Sequence, residues 1–256
     1  MKVLILAGGY GTRIAEESQF KPKPMIEIGE KPILWHIMKF YASYGFDDFI
    51  ILSGYKQYII KEFFADYFLH NADVAFDLSK NQMTVLDGHA EKWKVAVIDT
   101  GLDTQTGGRL KRVQKYVGDE TFMLTYGDGV SDVNLNNLLD FHSRHGKIAT
   151  ITMVSFAQQK GVLSYDADGH IRAFREKDDE DGAMINGGFM VLEPKIFDYL
   201  EGDSTVLEAG PMQQLIRKDE LMGYTHKGFW GCMDTQREKT RLERLWTEGN
   251  APWKRW

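Results

Sequence analysis

The stretch Lys2-Val-Leu-Ile-Leu-Ala-Gly-Gly-Tyr-Gly-Thr-Arg13 decides the fold. Residues 2–6 form a short run, apolar from Val3 onward and halted by glycines, the pattern of a strand buried on both faces. The loop from Leu6 to Arg13 runs straight out of that strand. Its three glycines let backbone N–H groups approach an anion with no Cβ in the way. Thr12 adds a hydroxyl, and Arg13 adds a permanent charge with forked donors. This set suits a polyphosphate better than a plain turn. It is not a Walker loop, since no Gly-Lys-Ser/Thr follows. It is not the dinucleotide fingerprint either, since the third residue after Gly11 is Ile14.

Outward from this stretch, strand and helix alternate. Pro32 opens a helix, where its missing N–H costs nothing. Ile33, Ile37, Phe40 and Tyr44 share one face, and Gly45 stops it. Residues 49–52 read as a second buried strand. Residues 55–70 read as a second helix, apolar at Ile59, Ile60, Phe63, Phe64, Tyr67 and Phe68. A stripe that wide belongs under a sheet or against a partner subunit. A hairpin is expected over 74–86 around Lys80-Asn81. Strands at 95–98 and 122–125 flank a helix near 108–116, and 135–144 is another helix.

After residue 147 the pattern turns mixed. Strands are expected at 148–154, 162–165, 170–175 and 185–192, and helices near 194–200, 212–218 and 235–247. The expected class is α/β: a Rossmann-like, mostly parallel central sheet flanked by helices, with a mixed C-terminal part. No repeat, low-complexity tract or linker divides the chain, so 1–256 reads as one domain. In open sheets of this kind ligands bind beyond the carboxyl ends of strands, here after Leu6, Thr125, Arg175 and Leu192.

Composition narrows the function. The 256 residues are 27% charged and 43% hydrophobic, with 31 Lys plus Arg against 37 Asp plus Glu and a net charge of −6. That balance argues against broad nucleic-acid binding. A lone cysteine, Cys232, excludes a disulfide framework and a multi-cysteine zinc site. The apolar run at 3–7 is too short for a signal peptide, and no run approaches the roughly 18 apolar residues of a membrane span. A cytoplasmic chain with no membrane insertion is expected.

Further segments carry chemistry. In Lys21-Pro-Lys-Pro24, prolines hold Lys23 in extended backbone. Alone it reads as a solvated basic loop; beside Arg13 it supplies a second cation for a triphosphate. Tyr126-Gly-Asp-Gly129 ends an apolar strand, where Asp128 can face a pocket, although Asp-Gly is equally a turn signal. Asp234 precedes a capping box formed by Thr235 and Glu238, so spacing alone makes it a cap neighbour. Thr104 to Arg109 contains Thr106-Gly-Gly-Arg109, which suits an anion or a base edge and serves equally as a plain helix start. Glu176-Lys177 and, ten residues on, Asn186-Gly-Gly188 supply the residue types a sugar phosphate needs. Their bland readings are an exposed ion pair and a turn.

Together these segments resemble the signature of the sugar-1-phosphate nucleotidylyltransferases. The resemblance is carried by Leu6-Ala-Gly-Gly-Tyr-Gly-Thr-Arg13, Lys21-Pro-Lys-Pro-Met25 and Gly29-Glu-Lys-Pro-Ile33. Lys31-Pro-Ile-Leu-Trp-His-Ile-Met38, Thr106-Gly-Gly-Arg-Leu-Lys-Arg112, Thr125-Tyr-Gly-Asp-Gly-Val130, Asp181-Gly-Ala-Met-Ile-Asn-Gly-Gly-Phe189, Gly228-Phe-Trp230 and Met233-Asp-Thr235 narrow it to the cytidylyl branch acting on glucose 1-phosphate. It implies a GT-A-like fold, with 1–147 as the nucleotide half and 148–256 as the sugar half. It implies transfer of the cytidylyl group of CTP to a hexose 1-phosphate, giving CDP-glucose and pyrophosphate.

The same resemblance implies nucleotide contacts from Leu6, Ala7, Gly8, Gly9, Tyr10, Gly11, Thr12, Arg13, Lys23, Thr104, Arg109 and Asp128. Arg13, Lys23 and Asp128 would be catalytic, and Asp128 with Asp234 would hold Mg²⁺. Glu176, Lys177, Asn186 and Gly187 would meet the sugar phosphate. Similar proteins form homo-oligomers and feed cell-surface polysaccharide synthesis. The chain departs from them at Phe156-Ala-Gln-Gln-Lys-Gly-Val-Leu163, which keeps Gly161 and Leu163 but lacks the prolines, arginine and phenylalanine of the similar loop. It departs again at Asp178, where proline is usual. Both departures bear on the sugar rather than the reaction.

Rival readings are a UTP or dTTP enzyme, an enzyme for another sugar, and a nucleotide-sugar sensor without turnover. A glycosyltransferase lacks support, because Asp128-Gly-Val supplies no Asp-x-Asp metal motif. His89-Ala-Glu91 opens like a deaminase motif but no Pro-Cys-x-x-Cys follows. His142 and His145 read as a helix face rather than metal ligands, and Trp246, Trp253 and Trp256 as packing or a subunit contact.

Overall fold

A computed structural model describes residues 1–88, 90–156, 162–165, 171–175 and 183–256. The opening apolar run forms strand β1, Lys2–Ala7, followed by β2 (Asp48–Ser53), β3 (Lys94–Asp99) and β4 (Phe122–Tyr126). The C-terminal half adds β5 (Ala149–Phe156), β6 (Ala183–Leu192) and β7 (Leu221–His226). These make one seven-stranded sheet in the order β7-β5-β6-β4-β1-β2-β3. β1 runs parallel to β2 and β4, β2 to β3, and β5 to β7. β6 runs antiparallel to both its neighbours, β4 and β5. The fold is therefore α/β, mostly parallel, and both halves of the chain share the sheet.

Period-two alternation places β1 side chains in two cores. Val3 and Ile5 pack with helix α1 (Ile33–Ala42) on one face. Leu4 and Leu6 pack with Leu110, Phe122 and Leu215 on the other. Covering both faces is what a parallel sheet requires. Each fully buried Leu or Ile stabilises the fold by about 1.5–3 kcal/mol.

The helix expected over 55–70 is instead two pieces, α2 (Gln57–Ala65) and α3 (Tyr67–His70), broken at Asp66 with φ −95° and ψ 8°. The turn has a physical reason. It lets the Tyr67 hydroxyl accept from Trp35 Nε1 at 2.9 Å and donate to Glu91. The apolar stripe is only partly covered: Ile60 and Tyr67 are buried, whereas Phe68 is 58% exposed. The helix expected near 108–116 starts earlier, as α4 (Thr106–Arg112), and a separate one-turn helix follows at Gln114–Val117. The hairpin expected over 74–86 is present, pairing Ala72–Asp77 with Gln82–Gly88. Its apolar side chains project into solvent, with Phe76 55% and Leu86 66% exposed.

Helix α5 (Leu135–His145) carries His142 and His145, both of which bond to Thr150 Oγ1. Helix α6 (Gln236–Thr247) starts at the Thr235–Glu238 capping box that the spacing predicts. Trp246 within it, and Trp253 and Trp256 beyond it, gather on the buried His36. Trp246 lies edge-on to that ring at 4.5 Å, and Trp253 is fully buried. Edge strand β7 and the short pair of Gly129–Ser131 with Trp230–Cys232 have no periodic signal in the sequence. β7 is half exposed, and the other two are three residues long. Among the described residues no helix is long and apolar enough to cross a membrane.

Candidate active site

The carboxyl ends of β1 and β4, joined by the loop after β3, enclose a cavity of about 480 Å³. Its walls include every residue expected to meet nucleotide: Leu6, Ala7, Gly8, Gly9, Tyr10, Gly11, Thr12, Arg13, Lys23, Thr104, Arg109 and Asp128. Among the described residues, none of the main-chain N–H groups from Gly8 to Thr12 donates a hydrogen bond within the protein. A row of unengaged amides after a strand can cradle an anion.

Arg109 shapes that cradle from behind. Its buried guanidinium donates to the Gly8 carbonyl oxygen at 3.0 Å, Gly101 O at 2.7 Å, Leu102 O at 3.1 Å and Thr100 Oγ1 at 2.8 Å. It also approaches Ser53 O at 3.3 Å. Burial, with the nearby Arg112 charge, holds its pKa below the usual arginine value. Gly8 allows this approach, because a Cβ there would lie 2.0 Å from Arg109 Nη1. Arg109 thus acts as a brace for the loops, which the motif reading did not separate from a direct nucleotide contact.

Two carboxylates converge on one ammonium. Lys23, held between Pro22 and Pro24 in a short turn, places Nζ 2.5 Å from Asp128 Oδ2 and against Asp234 Oδ1. The two aspartates come together because Met233 N–H donates to the Asp128 carbonyl oxygen at 2.9 Å. Asp234 also carries Arg13, whose side chain is 74% exposed. Its own N–H donates to Glu238 Oε2 at 2.9 Å, so Asp234 is both a cap neighbour and a member of the cluster. Burial lowers the Lys23 pKa, but Asp128 and Asp234 more than offset that, leaving it above the usual lysine value.

Cys232 is no nucleophile. Burial and the carboxylates of Glu238, Asp234 and Asp128 push its thiol up to about 12. Among the described residues no three His, Cys, Asp or Glu side chains gather as a metal cluster. A pair of carboxylates sharing one cation is nevertheless the protein donor set Mg²⁺ uses when phosphate oxygens supply the rest.

Of the residues expected to meet the sugar phosphate, Asn186 donates through Nδ2 to the Tyr126 hydroxyl at 3.1 Å, and the Gly187 carbonyl oxygen accepts from Trp230 Nε1 at 2.7 Å. Glu176, Lys177, Asp178 and residues 157–161 of the departing loop lie outside the described residues. Two residues are additions to the sequence reading. Tyr126 lines the cavity two positions before Asp128, a placement its strand-end position signals. Glu208 bonds to Tyr126 from a loop with no motif.

The chain matches the nucleotidyl transferase family over residues 2–234. The chain belongs to that family. Among relatives of this nucleotidyl transferase, glucose-1-phosphate cytidylyltransferase of Salmonella typhi is 53% identical over 257 residues, covering all of both chains. A probable glucose-1-phosphate cytidylyltransferase of Bacillus subtilis is 45% identical, again over the full length of both. Among solved structures, HddC from Yersinia pseudotuberculosis superposes with a TM-score of 0.67 at 24% identity, over 96% of this chain and 99% of that one. The nucleotidyl transferase thus shares its fold with that protein.

Proposed function

We propose that this nucleotidyl transferase joins CTP and α-D-glucose 1-phosphate into CDP-glucose, releasing pyrophosphate. The observation that carries the reading is the cluster at one cavity: unengaged amides from Gly8 to Thr12, two cations and two carboxylates. The full-length relatives named for this activity support the choice of base and sugar. A volume of about 480 Å³ falls in the range of small-molecule sites, about 300–1,000 Å³.

Both reactants are anions, so the work is neutralisation and alignment. An oxygen of the sugar phosphate attacks the α-phosphorus of CTP in line, and the bond to the leaving pyrophosphate breaks. The loop amides with Arg13 and Lys23 hold the triphosphate and then the pyrophosphate. No general base is required, because a phosphate monoester has a second pKa near about 6 and is already ionised. Glu176, Lys177, Asn186 and Gly187 would bind the sugar phosphate. Asp128 and Asp234 would hold Mg²⁺, which when bound draws charge from the phosphates.

The exposed apolar hairpin favours a homo-oligomer, since contiguous exposed apolar surface marks interfaces. On this reading the enzyme works in the cytoplasm.

The test is pyrophosphate release measured with four nucleoside triphosphates against a panel of sugar 1-phosphates, with and without Mg²⁺. CTP with glucose 1-phosphate is expected to lead, and chelation is expected to abolish turnover. A preference for UTP overturns the base assignment. Binding of CDP-glucose with no turnover on any pair replaces the enzyme with a sensor.

A further inference from the structure

A chain of hydrogen bonds runs behind the cavity from the nucleotide side to the sugar side. Thr106 Oγ1 accepts from Leu207 N–H at 2.9 Å and donates to Glu208 Oε2 at 2.7 Å. Glu208 Oε1 accepts from the Tyr126 hydroxyl at 2.5 Å. The Tyr126 oxygen accepts from Asn186 Nδ2 at 3.1 Å, and Asn186 Oδ1 accepts from Gly188 N–H at 2.9 Å.

The direction of each bond follows from its neighbour. A carboxylate only accepts, so Tyr126 gives its single proton to Glu208. The phenol oxygen is then left with lone pairs, and only the NH₂ end of Asn186 can meet it. The ring packs closely on the Gly188 backbone. Gly188 sits at φ +88°, and a Cβ there would lie 2.6 Å from Tyr126 Cδ2. Asn186 therefore presents one fixed N–H and one fixed lone pair, and its amide cannot flip without breaking two bonds.

We propose that Glu208 is a positioning residue for the sugar phosphate, holding the Asn186 amide in one orientation through Tyr126. The inference deepens the function proposed above and rests on it. Glu208 does not line the cavity; Tyr126 does.

The test compares Glu208→Leu, Glu208→Gln, Tyr126→Phe and the Glu208→Leu/Tyr126→Phe double variant with the parent enzyme. KM is measured separately for CTP and glucose 1-phosphate, and Tm is recorded for each protein. Glu208→Leu removes the acceptor and leaves the phenol proton unpaired. It is expected to raise KM for glucose 1-phosphate by about tenfold or more while KM for CTP moves by less than about twofold. Glu208→Gln keeps an oxygen for the Tyr126 proton, so rescue to within about threefold is expected. The double variant should be no worse than about twofold beyond Glu208→Leu, because both changes cut one chain.

Equal rises in both KM values, an unchanged sugar KM, additive losses in the double variant, or failure of the Gln variant to rescue each overturn the proposal. If Glu208→Leu does not fold, Tyr126→Phe and Glu208→Gln decide it by the same split between the two substrates. A parent enzyme inactive on CTP with glucose 1-phosphate refutes the proposed function. An active parent with an indifferent Glu208→Leu refutes only the role of Glu208.

Discussion

Lys23 Nζ lies 2.5 Å from Asp128 Oδ2 across 105 residues of chain, and the same ammonium touches Asp234. Lys23 therefore bridges two carboxylates that would otherwise repel, and Arg13 pairs with one of them. Lys23→Met is expected to reduce turnover by at least about 100-fold, the scale of losing one preorganised charge at a reacting phosphate. It should also increase the rise in Tm that added Mg²⁺ produces without nucleotide, because the freed carboxylate pair then lacks its internal cation. Thermal scans with and without Mg²⁺ read that difference. An unchanged response shows that the two aspartates do not act as a pair.

Gly8→Ala tests the brace behind the loop. The new Cβ would meet Arg109 Nη1 at 2.0 Å, so the guanidinium must leave carbonyls it now satisfies. A loss of about 2 kcal/mol or more in urea unfolding is expected, together with a raised KM for CTP. Normal stability in this variant would mean that Arg109 has room to move aside.

His36 gives the fold an acid limit. Burial first, opposed by its hydrogen bond to the Ile28 carbonyl oxygen and aided by Lys254, lowers its pKa to about 4. The folded pKa lies below the unfolded value near 6.5, so the native ring is neutral and protonation favours unfolding. Stability is fully present above about pH 6.5 and is lost as pH falls towards 4. Between pH 7 and pH 5 that loss is about 2 kcal/mol. Urea unfolding of the parent and of His36→Asn at the two pH values isolates it, and the variant should lose less by about that amount.

Phe76 and Met83 face one another across the hairpin and both are exposed. Replacing them with Glu and Lys keeps a cross-strand pair while making the surface charged. If the hairpin is a subunit contact, the double variant sediments as a smaller species than the parent at equal concentration. Identical sedimentation removes the hairpin from any interface.

Much of this was legible before the structure, and the exceptions have physical reasons. The opening strand, its glycine loop and the pairing of strand with helix follow from apolar runs punctuated by Gly and Pro. The capping box at Thr235 was readable because its partners are three residues apart. Asp234, by contrast, looks like a cap neighbour until Met233 bonds Asp128, a contact that no local spacing encodes. Glu208 had no signal at all, since its partners Thr106 and Tyr126 lie 102 and 82 residues away. The break at Asp66 was hidden because the apolar spacing continues unbroken through it, while the deciding contact, Tyr67 with Trp35, is tertiary.

Arg109 fastens the ends of three adjacent parallel strands at once: Gly8 after β1, Ser53 at the end of β2, and the 100–102 loop after β3. Segments tied to a single hub cannot fluctuate independently. The half of the pocket built from these loops is therefore held as one unit by a single buried side chain.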